Sequence, residues 1–206
     1  MLLFEFTDLP AQLLTALRAT TRLEWVAVGT GFACVGLAAR ESFWNFPVAI
    51  VSCGLYILIY HQTQLYSDRN LQGFFIVLNA YGWYAWRYGG QGHTPLVVGR
   101  ATAGEWLGSA LFAAAYTGGF GWYLQHHTDA AFPYLDSLTT GVSLVAQFLL
   151  MRKRLENWLL WLLVDVVYVP MLWAKQLYPT SLLYVLYLGL AAYGYRQWRR
   201  HLTFNI

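Results

Sequence analysis

One segment of this sequence, Asn45-Phe46 followed by Gln64-Leu65-Tyr66, Tyr81-Gly82 and Trp86-Arg87, occurs twice. The second copy lies 112 positions later without a gap and reads Asn157-Trp158, Gln176-Leu177-Tyr178, Tyr193-Gly194 and Trp198-Arg199. Arg40 pairs with Arg152, and Glu24 with Asp136, at the same offset. The repeats therefore cover about 24–88 and 136–200, and the chain consists of two related halves.

The composition places these halves in a membrane. Hydrophobic residues make up 58% of the chain and charged residues only 11%, whereas a soluble domain carries roughly 25% charge. Several windows approach the ~20 apolar residues that a membrane-spanning helix needs. We predict an all-α integral membrane protein, a single transmembrane domain over 1–206, with seven helices at 24–39, 45–61, 71–88, 103–124, 136–151, 157–174 and 180–196.

The basic residues predict the orientation of these helices. Four of them fall on one side of the predicted bundle: Arg18, Arg22, Arg69 and Lys175. Nine fall on the other: Arg40, Arg87, Arg100, Arg152, Lys153, Arg154, Arg196, Arg199 and Arg200. The positive-inside rule puts the richer side in the cytoplasm, so the N-terminus is expected outside and the C-terminus inside. Residues 10–22 are predicted to form a short amphipathic helix at the outer surface.

The same charges predict how the two repeats are related. Each repeat holds three helices, so direct fusion of two copies would leave them antiparallel in the membrane. Arg40 and Arg152 are equivalent and are both expected in the cytoplasm, so the copies must be parallel. The unmatched helix at 103–124 supplies the extra crossing, which gives a 3+1+3 arrangement. Such two-halved bundles are typical of transporters, with the substrate site between the halves near the membrane midplane.

Asp165 is the sharpest candidate for that site. It lies eight residues into a span that begins near Asn157, and a carboxylate at mid-membrane costs about 2.5–3.5 kcal/mol on insertion scales. Trp158, Trp161 and Tyr168 share its helix face at i, i+3, i+7, i+10 spacing. A negative charge among aromatic rings suits a flat, cationic, aromatic ligand. The alternative is a structural carboxyl group that is protonated or bonded to a neighbouring Tyr or Trp.

Further polar residues are predicted at membrane depth. Gln72, Asn79 and either Trp83 or Trp86 follow helical spacing on the third helix. Ser52 and Gln147 lie inside the second and fifth helices. Amide groups can bind the amide or hydroxyl groups of a ligand. They also bridge transmembrane helices in ordinary packing, so both interpretations remain open for these side chains.

Other functional classes lack their signatures in this sequence. No H-E-x-x-H, Asp-rich metal motif, P-loop or nucleophile–base motif is present, so we expect no catalytic residue, no metal, no cofactor and no enzyme activity. A seven-helix photoreceptor or sensor is the non-transporter alternative, but a retinal protein would need a mid-membrane lysine, and 180–195 has none. The basic residues flank helices rather than forming a nucleic-acid-binding stripe.

Two longer motifs resemble a known family. Gln64-Leu65-Tyr66 followed by Asn79-Ala80-Tyr81-Gly82-Trp83-Tyr84-Ala85-Trp86 resembles the first half of the PnuC vitamin transporters. Arg152-Lys153 followed by Glu156-Asn157-Trp158-Leu159-Leu160-Trp161 resembles the start of their second half. The resemblance covers both repeats, about 24–199.

The resemblance implies a SWEET-like fold, often trimeric, that carries nicotinamide riboside across the bacterial inner membrane. The family is thought to work by facilitated diffusion. Phosphorylation by a cytoplasmic vitamin kinase then traps the vitamin inside the cell, so that kinase is an expected functional partner, beside the lipid bilayer and a homotrimer. Relatives of similar sequence carry thiamine or riboflavin.

Two residues depart from the family pattern and bear on the substrate. Typical nicotinamide riboside carriers have asparagines at the mid-helix positions that Ser52 and Asp165 occupy here. The pyridinium of nicotinamide riboside would favour a carboxylate, but so would the thiazolium of thiamine. The resemblance therefore predicts nicotinamide riboside as the substrate, with thiamine as the alternative.

Overall fold

The computed structural model describes residues 21–62, 66–128, 132–174 and 178–204, together with residues 14, 15 and 18. Within this part the chain forms seven long helices: α1 (Arg22–Ala39), α2 (Asn45–Gln62), α3 (Tyr66–Tyr88), α4 (Ala103–His127), α5 (Pro133–Met151), α6 (Asn157–Ala174) and α7 (Tyr178–Phe204). A 3-10 turn, Gln91–His93, lies between α3 and α4. Most of the predicted surface helix at 10–22 and the Gln-Leu pairs of both repeats lie outside the described residues.

The prediction of an all-helical chain with seven long helices is confirmed, and the predicted bounds fall close to the observed ones. Two described helices, α1 and α5, are long and apolar enough to cross a membrane by length and composition alone. Asn45–Ile59 and Asn157–Met171 are shorter apolar segments. The other helices carry more Tyr, Trp, Gly and charged residues, which lower their mean hydropathy, although Tyr and Trp are common at membrane interfaces.

Capping boxes start α1 and α4. The Thr21 hydroxyl accepts from the Glu24 backbone N–H (3.2 Å), and the Glu24 carboxylate accepts from the Thr21 backbone N–H (2.6 Å). Thr102 and Glu105 make the same pair of bonds at the start of α4. Because each box satisfies two backbone donors that a helix start leaves free, these residues fix where the two helices begin.

The turns that follow α1 and α5 have matching geometry. Each contains a non-glycine residue in the left-handed region, Glu41 (φ 56°) and Lys153 (φ 53°), 112 positions apart. The next helices also start alike, because the Asn45 amide donates to the Ser42 carbonyl (2.7 Å) and the equivalent Asn157 amide to the Arg154 carbonyl (2.6 Å). Residues with a side chain rarely adopt the left-handed region. Its occurrence at equivalent positions therefore shows that the two repeats share one turn conformation.

The core lies where the halves meet, at the end of the bundle that holds these two turns. The Trp86 indole N–H donates to the Leu150 carbonyl (2.9 Å), and the equivalent Trp198 N–H donates to the Ala38 carbonyl (3.0 Å). Trp198 is the repeat equivalent of Trp86, and Ala38 is the repeat equivalent of Leu150, each at an offset of 112 positions. The two bonds are therefore equivalent to each other. The centroids of the two indole rings are 5.6 Å apart. Both tryptophans are buried, which makes this cluster the centre of the core.

Glycines at equivalent positions let helices approach within each half. A Cβ on Gly82 of α3 would lie 2.3 Å from the Phe46 ring, and one on Gly194 of α7 would lie 2.6 Å from the Trp158 ring. Helix α4 packs along α5, and the Glu105 carboxylate binds Arg152 (3.3 Å) and Arg154 (3.1 Å). These ion pairs join the unmatched helix to the second half.

Candidate substrate-binding site

A cavity of about 320 Å³ lies between the two halves. Its lining comes mainly from α1, α2, α6 and α7, with side chains from α3 and α5 completing the wall. The volume falls in the range of small-molecule sites, which are largely apolar with a few placed polar groups. The polar and aromatic lining residues are Cys34, Ser52, Cys53, Tyr56, Gln72, Phe75, Gln147, Trp158, Trp161, Asp165, Tyr184 and Tyr187.

Six of the nine residues predicted from the sequence line this cavity: Asp165, Trp161, Trp158, Gln72, Ser52 and Gln147. They come from four helices, α2, α3, α5 and α6. The fold therefore brings these side chains together in one cavity, although Ser52 and Asp165 are 113 positions apart in the chain. Their assignment to substrate binding stays a prediction.

Asp165 is the one charged residue among the described residues that line the cavity. Its side chain lies on α6, one turn beyond Trp161, and the residue is only 5% exposed. Among the described residues it has no hydrogen bond or ion pair to another side chain. A buried carboxylate without a protein partner is costly, and a cationic ligand in the cavity would supply one.

Asn79 lies behind the cavity wall instead of in it. Its amide group donates to the Phe75 carbonyl (2.8 Å), and its side-chain oxygen accepts from the Gln147 amide (3.3 Å). Both amides are buried. Asn79 therefore orients Gln147, which does line the cavity, and this pair joins α3 of the first half to α5 of the second.

Ser52 lies at the contact of α1 and α2. Its hydroxyl donates to the Ala27 carbonyl (3.3 Å). Gly31 is close by, and a Cβ there would lie 3.1 Å from the Tyr187 hydroxyl and 3.9 Å from the Ser52 hydroxyl. The absent side chain at Gly31 leaves room for these two hydroxyl groups at the cavity wall.

Two aromatic predictions fall outside the lining. Trp83 lies one helical turn beyond Asn79, but it is 38% exposed and does not line the cavity. Tyr168 shares a helix with Asp165 but stacks on Tyr184 at 4.8 Å, so its contact with the cavity runs through that ring. Helical spacing identified the faces but not how far each side chain reaches.

Three tyrosines of the lining were not predicted: Tyr56, Tyr184 and Tyr187. Tyr187 stacks on Phe32 at 4.8 Å and meets Tyr184 edge-on at 6.0 Å. Their signal in the sequence was spacing, since Tyr184 and Tyr187 are i, i+3 neighbours on α7. In a chain with fifteen tyrosines, that spacing could not be separated from the aromatic residues of membrane interfaces.

One end of the cavity is closed by the core. The lining and the buried cluster around Trp86 and Trp198 share four residues: Ala38, Leu150, Trp158 and Ala191.

In the described part of the chain, no group of three or more His, Cys, Asp or Glu side chains could hold a metal ion. A helical bundle with two sequence repeats and a small-molecule cavity between them is typical of membrane transporters.

Comparison with known proteins gives the family. The family model described as "Nicotinamide mononucleotide transporter" matches residues 21–200, which is most of the chain. The chain belongs to this family. It is therefore a multi-pass membrane transporter and not an enzyme.

Curated relatives carry related names. The chain is 31% identical to the nicotinamide riboside transporter PnuC of Escherichia coli (strain K12) over 204 residues, which covers 85% of each chain. It is 29% identical over 171 residues to the riboflavin/roseoflavin transporter RibM of Streptomyces davaonensis, covering 82% of this chain and 80% of that one. A solved structure, described as the crystal structure of the vitamin B3 transporter PnuC, matches with a TM-score of 0.71 and 25% identity over 98% of this chain and 93% of the other.

Proposed function

We propose that this chain carries nicotinamide riboside across the bacterial inner membrane by facilitated diffusion, through the cavity between its halves. The relatives at 31% identity are named for this substrate. The observation that carries the proposal is the buried carboxylate of Asp165 in an aromatic cavity, where no other described side chain pairs with it. A pyridinium ring would pair with that charge and stack on Trp161 or a lining tyrosine, while Gln147 and Gln72 would bind its carboxamide and hydroxyl groups.

The lining favours the nucleoside over the mononucleotide. The family description names the mononucleotide, whose phosphate needs cationic or N–H donors. Among the described residues of the lining there is no Lys, Arg or His, and the single charge is negative. A phosphate in this cavity would be desolvated without a counter-charge, which is costly.

Thiamine is the alternative substrate, because its thiazolium ring offers the same positive charge and its aminopyrimidine could donate hydrogen bonds. Riboflavin, suggested by the relative RibM, is electrically neutral. It would leave the Asp165 carboxylate without a counter-charge in the occupied cavity, so we rank it below the two cations.

We also propose the parallel 3+1+3, SWEET-like arrangement of the repeats for this chain. Two pairs of contacts occur at equivalent positions of the repeats, 112 residues apart, and support this arrangement. They are the two indole hydrogen bonds across the halves and the two glycine contacts within them. Helix α4, which packs along α5, would be the linker that brings the second repeat into parallel orientation.

The orientation and assembly follow from the sequence and the resemblance. With nine basic residues against four, the turns after α1 and α5 would face the cytoplasm, the N-terminus the outside and the C-terminus the cytoplasm. A homotrimer is the proposed assembly. A cytoplasmic kinase that phosphorylates the vitamin is the proposed partner, because facilitated diffusion alone cannot concentrate a solute.

Calorimetric titration of the purified protein with nicotinamide riboside, nicotinamide mononucleotide, thiamine and riboflavin tests the substrate. We expect nicotinamide riboside to bind most tightly and the mononucleotide at least about tenfold more weakly, which is a difference of about 1.4 kcal/mol. Tighter binding of thiamine would establish the alternative substrate. Tighter binding of either the mononucleotide or riboflavin would contradict the role given to Asp165.

A further inference from the structure

An ion pair joins the two halves at equivalent positions. The Lys153 ammonium lies 3.0 Å from a Glu41 carboxylate oxygen, and the two residues are 112 positions apart. They occupy the matching left-handed sites in the turns after α1 and α5. Because equivalent residues of a two-fold related pair can face one another across the axis, identical charges here would repel. The chain has opposite charges instead.

The pair is shielded from solvent. Lys153 is 8% exposed, donates to the Leu96 carbonyl (3.0 Å) and lies over the Trp86 ring at 4.9 Å. The other carboxylate oxygen of Glu41 binds His201 of α7. Breaking one partner of a shielded, hydrogen-bonded pair leaves an uncompensated charge, which makes it far more consequential than an exposed ion pair.

The position of the pair relates it to the cavity. Glu41 comes directly after the C-cap of α1, and Lys153 directly after the C-cap of α5. The same two helix ends supply the Ala38 and Leu150 carbonyls that the indoles of the opposite half bind. Ala38 and Leu150 also line the closed end of the cavity. Any separation of the halves that opens this end must pull Glu41 from Lys153.

We propose that the Glu41–Lys153 ion pair is a lock that holds the cavity closed at the cytoplasmic face and must break each time a substrate passes to that side. The inference rests on the proposed transport function and orientation. It assigns a specific role to a pair of residues that lie outside the cavity. Transport would then alternate between this locked state and one in which the halves have separated at the turns.

The two native cysteines provide a test that does not depend on the substrate. Cys34 and Cys53 are free and both line the cavity, and they are the only cysteines in the chain. In inside-out vesicles, a charged, membrane-impermeant thiol reagent reaches them only when the cytoplasmic end opens. Glu41→Lys would place two ammonium groups opposite one another, and Lys153→Glu would place two carboxylates there. We expect each variant to raise the labelling rate about tenfold, a common size for coupling between sites.

The combined change Glu41→Lys with Lys153→Glu restores opposite charges across the axis and should return the labelling rate toward that of the unaltered protein. Arg152→Gln is the matched control, since it removes a neighbouring cation whose partner is Glu105 and not the other half; its rate should stay unchanged. Labelling of both single variants at the unaltered rate, in protein with an unchanged melting temperature, would overturn the lock. If a single variant fails to fold, Lys153→Gln gives the same comparison with a milder change.

This outcome is separable from that of the proposed function. A chain that carries another solute would still show faster labelling in the single variants. A chain that carries nicotinamide riboside without this lock would bind the vitamin normally and show no change in labelling.

Discussion

Asp165 shows how a single residue distinguishes the two halves. Its equivalent in the first repeat is Cys53, and both residues line the same cavity. The scaffold residues around them are shared between the repeats, as Trp86 and Trp198 are. A ligand that has its charge at one end requires unequal walls, so the binding determinants are expected where the repeats differ.

Asp165→Asn should weaken the binding of nicotinamide riboside about 10- to 100-fold, because a charge-assisted contact contributes about 1.5–3 kcal/mol. The melting temperature of the protein without substrate should stay the same or rise, since the variant no longer buries a charge. Calorimetric titration and thermal unfolding measure the two effects. Glu24→Gln, on the capping box outside the cavity lining, is the control and should leave affinity unchanged. Equal affinity in Asp165→Asn would remove the proposed role.

The residues in and around the cavity show what a single sequence can and cannot predict. Asp165 and Gln147 were predicted because polar groups at membrane depth are rare and costly. Tyr184 and Tyr187 were missed, since an aromatic residue is unremarkable anywhere in such a helix. The indirect position of Asn79 depends on its bond to Gln147 across the halves, which no local pattern encodes.

Among the helices, close approach at glycine is the feature with the largest expected effect on packing. Gly82→Ala would place a Cβ 2.3 Å from the Phe46 ring, which is fully buried and packed edge-on against Trp86. We expect a loss of about 1–3 kcal/mol from overpacking, seen as a lower melting temperature in detergent.

Gly73→Ala on the same helix is the matched control. A Cβ at Gly73 would meet nothing within 4 Å, so this variant should be neutral or slightly stabilised through the better helix propensity of alanine. Equal melting temperatures for the two variants would contradict the close packing of α2 and α3 at Gly82.

The helices themselves were well predicted, because their signal is local. The predicted spans 45–61 and 157–174 compare with α2 (Asn45–Gln62) and α6 (Asn157–Ala174). The C-terminal end of the last helix was less accurate: α7 extends to Phe204 where the prediction ended at 196. Charged residues such as Arg199 suggested a helix end, although a helix can continue beyond the membrane into water.

For the molecule as a whole, the contact between the halves was beyond sequence reasoning, and it gives a prediction about symmetry. Trp86→Phe and Trp198→Phe each remove one indole bond across the halves. Each should lower the free energy of unfolding by about 1–3 kcal/mol, and the two losses should agree within about 1 kcal/mol.

Trp25→Phe, at a position that is 49% exposed, is the control and should have little effect. Unfolding in mixed micelles measures all three variants. A large loss for one core tryptophan and none for its equivalent would show that the halves do not share the contact equally.

The most direct measurement of the central claim is uptake of labelled nicotinamide riboside into proteoliposomes that hold the purified protein and no energy source. We predict saturable uptake that stops when the internal concentration equals the external one, and that slows strongly in Asp165→Asn at low substrate concentration. No uptake above that of protein-free vesicles, by protein that is folded and inserted, would contradict the claim. So would accumulation above the external concentration, because facilitated diffusion cannot produce it.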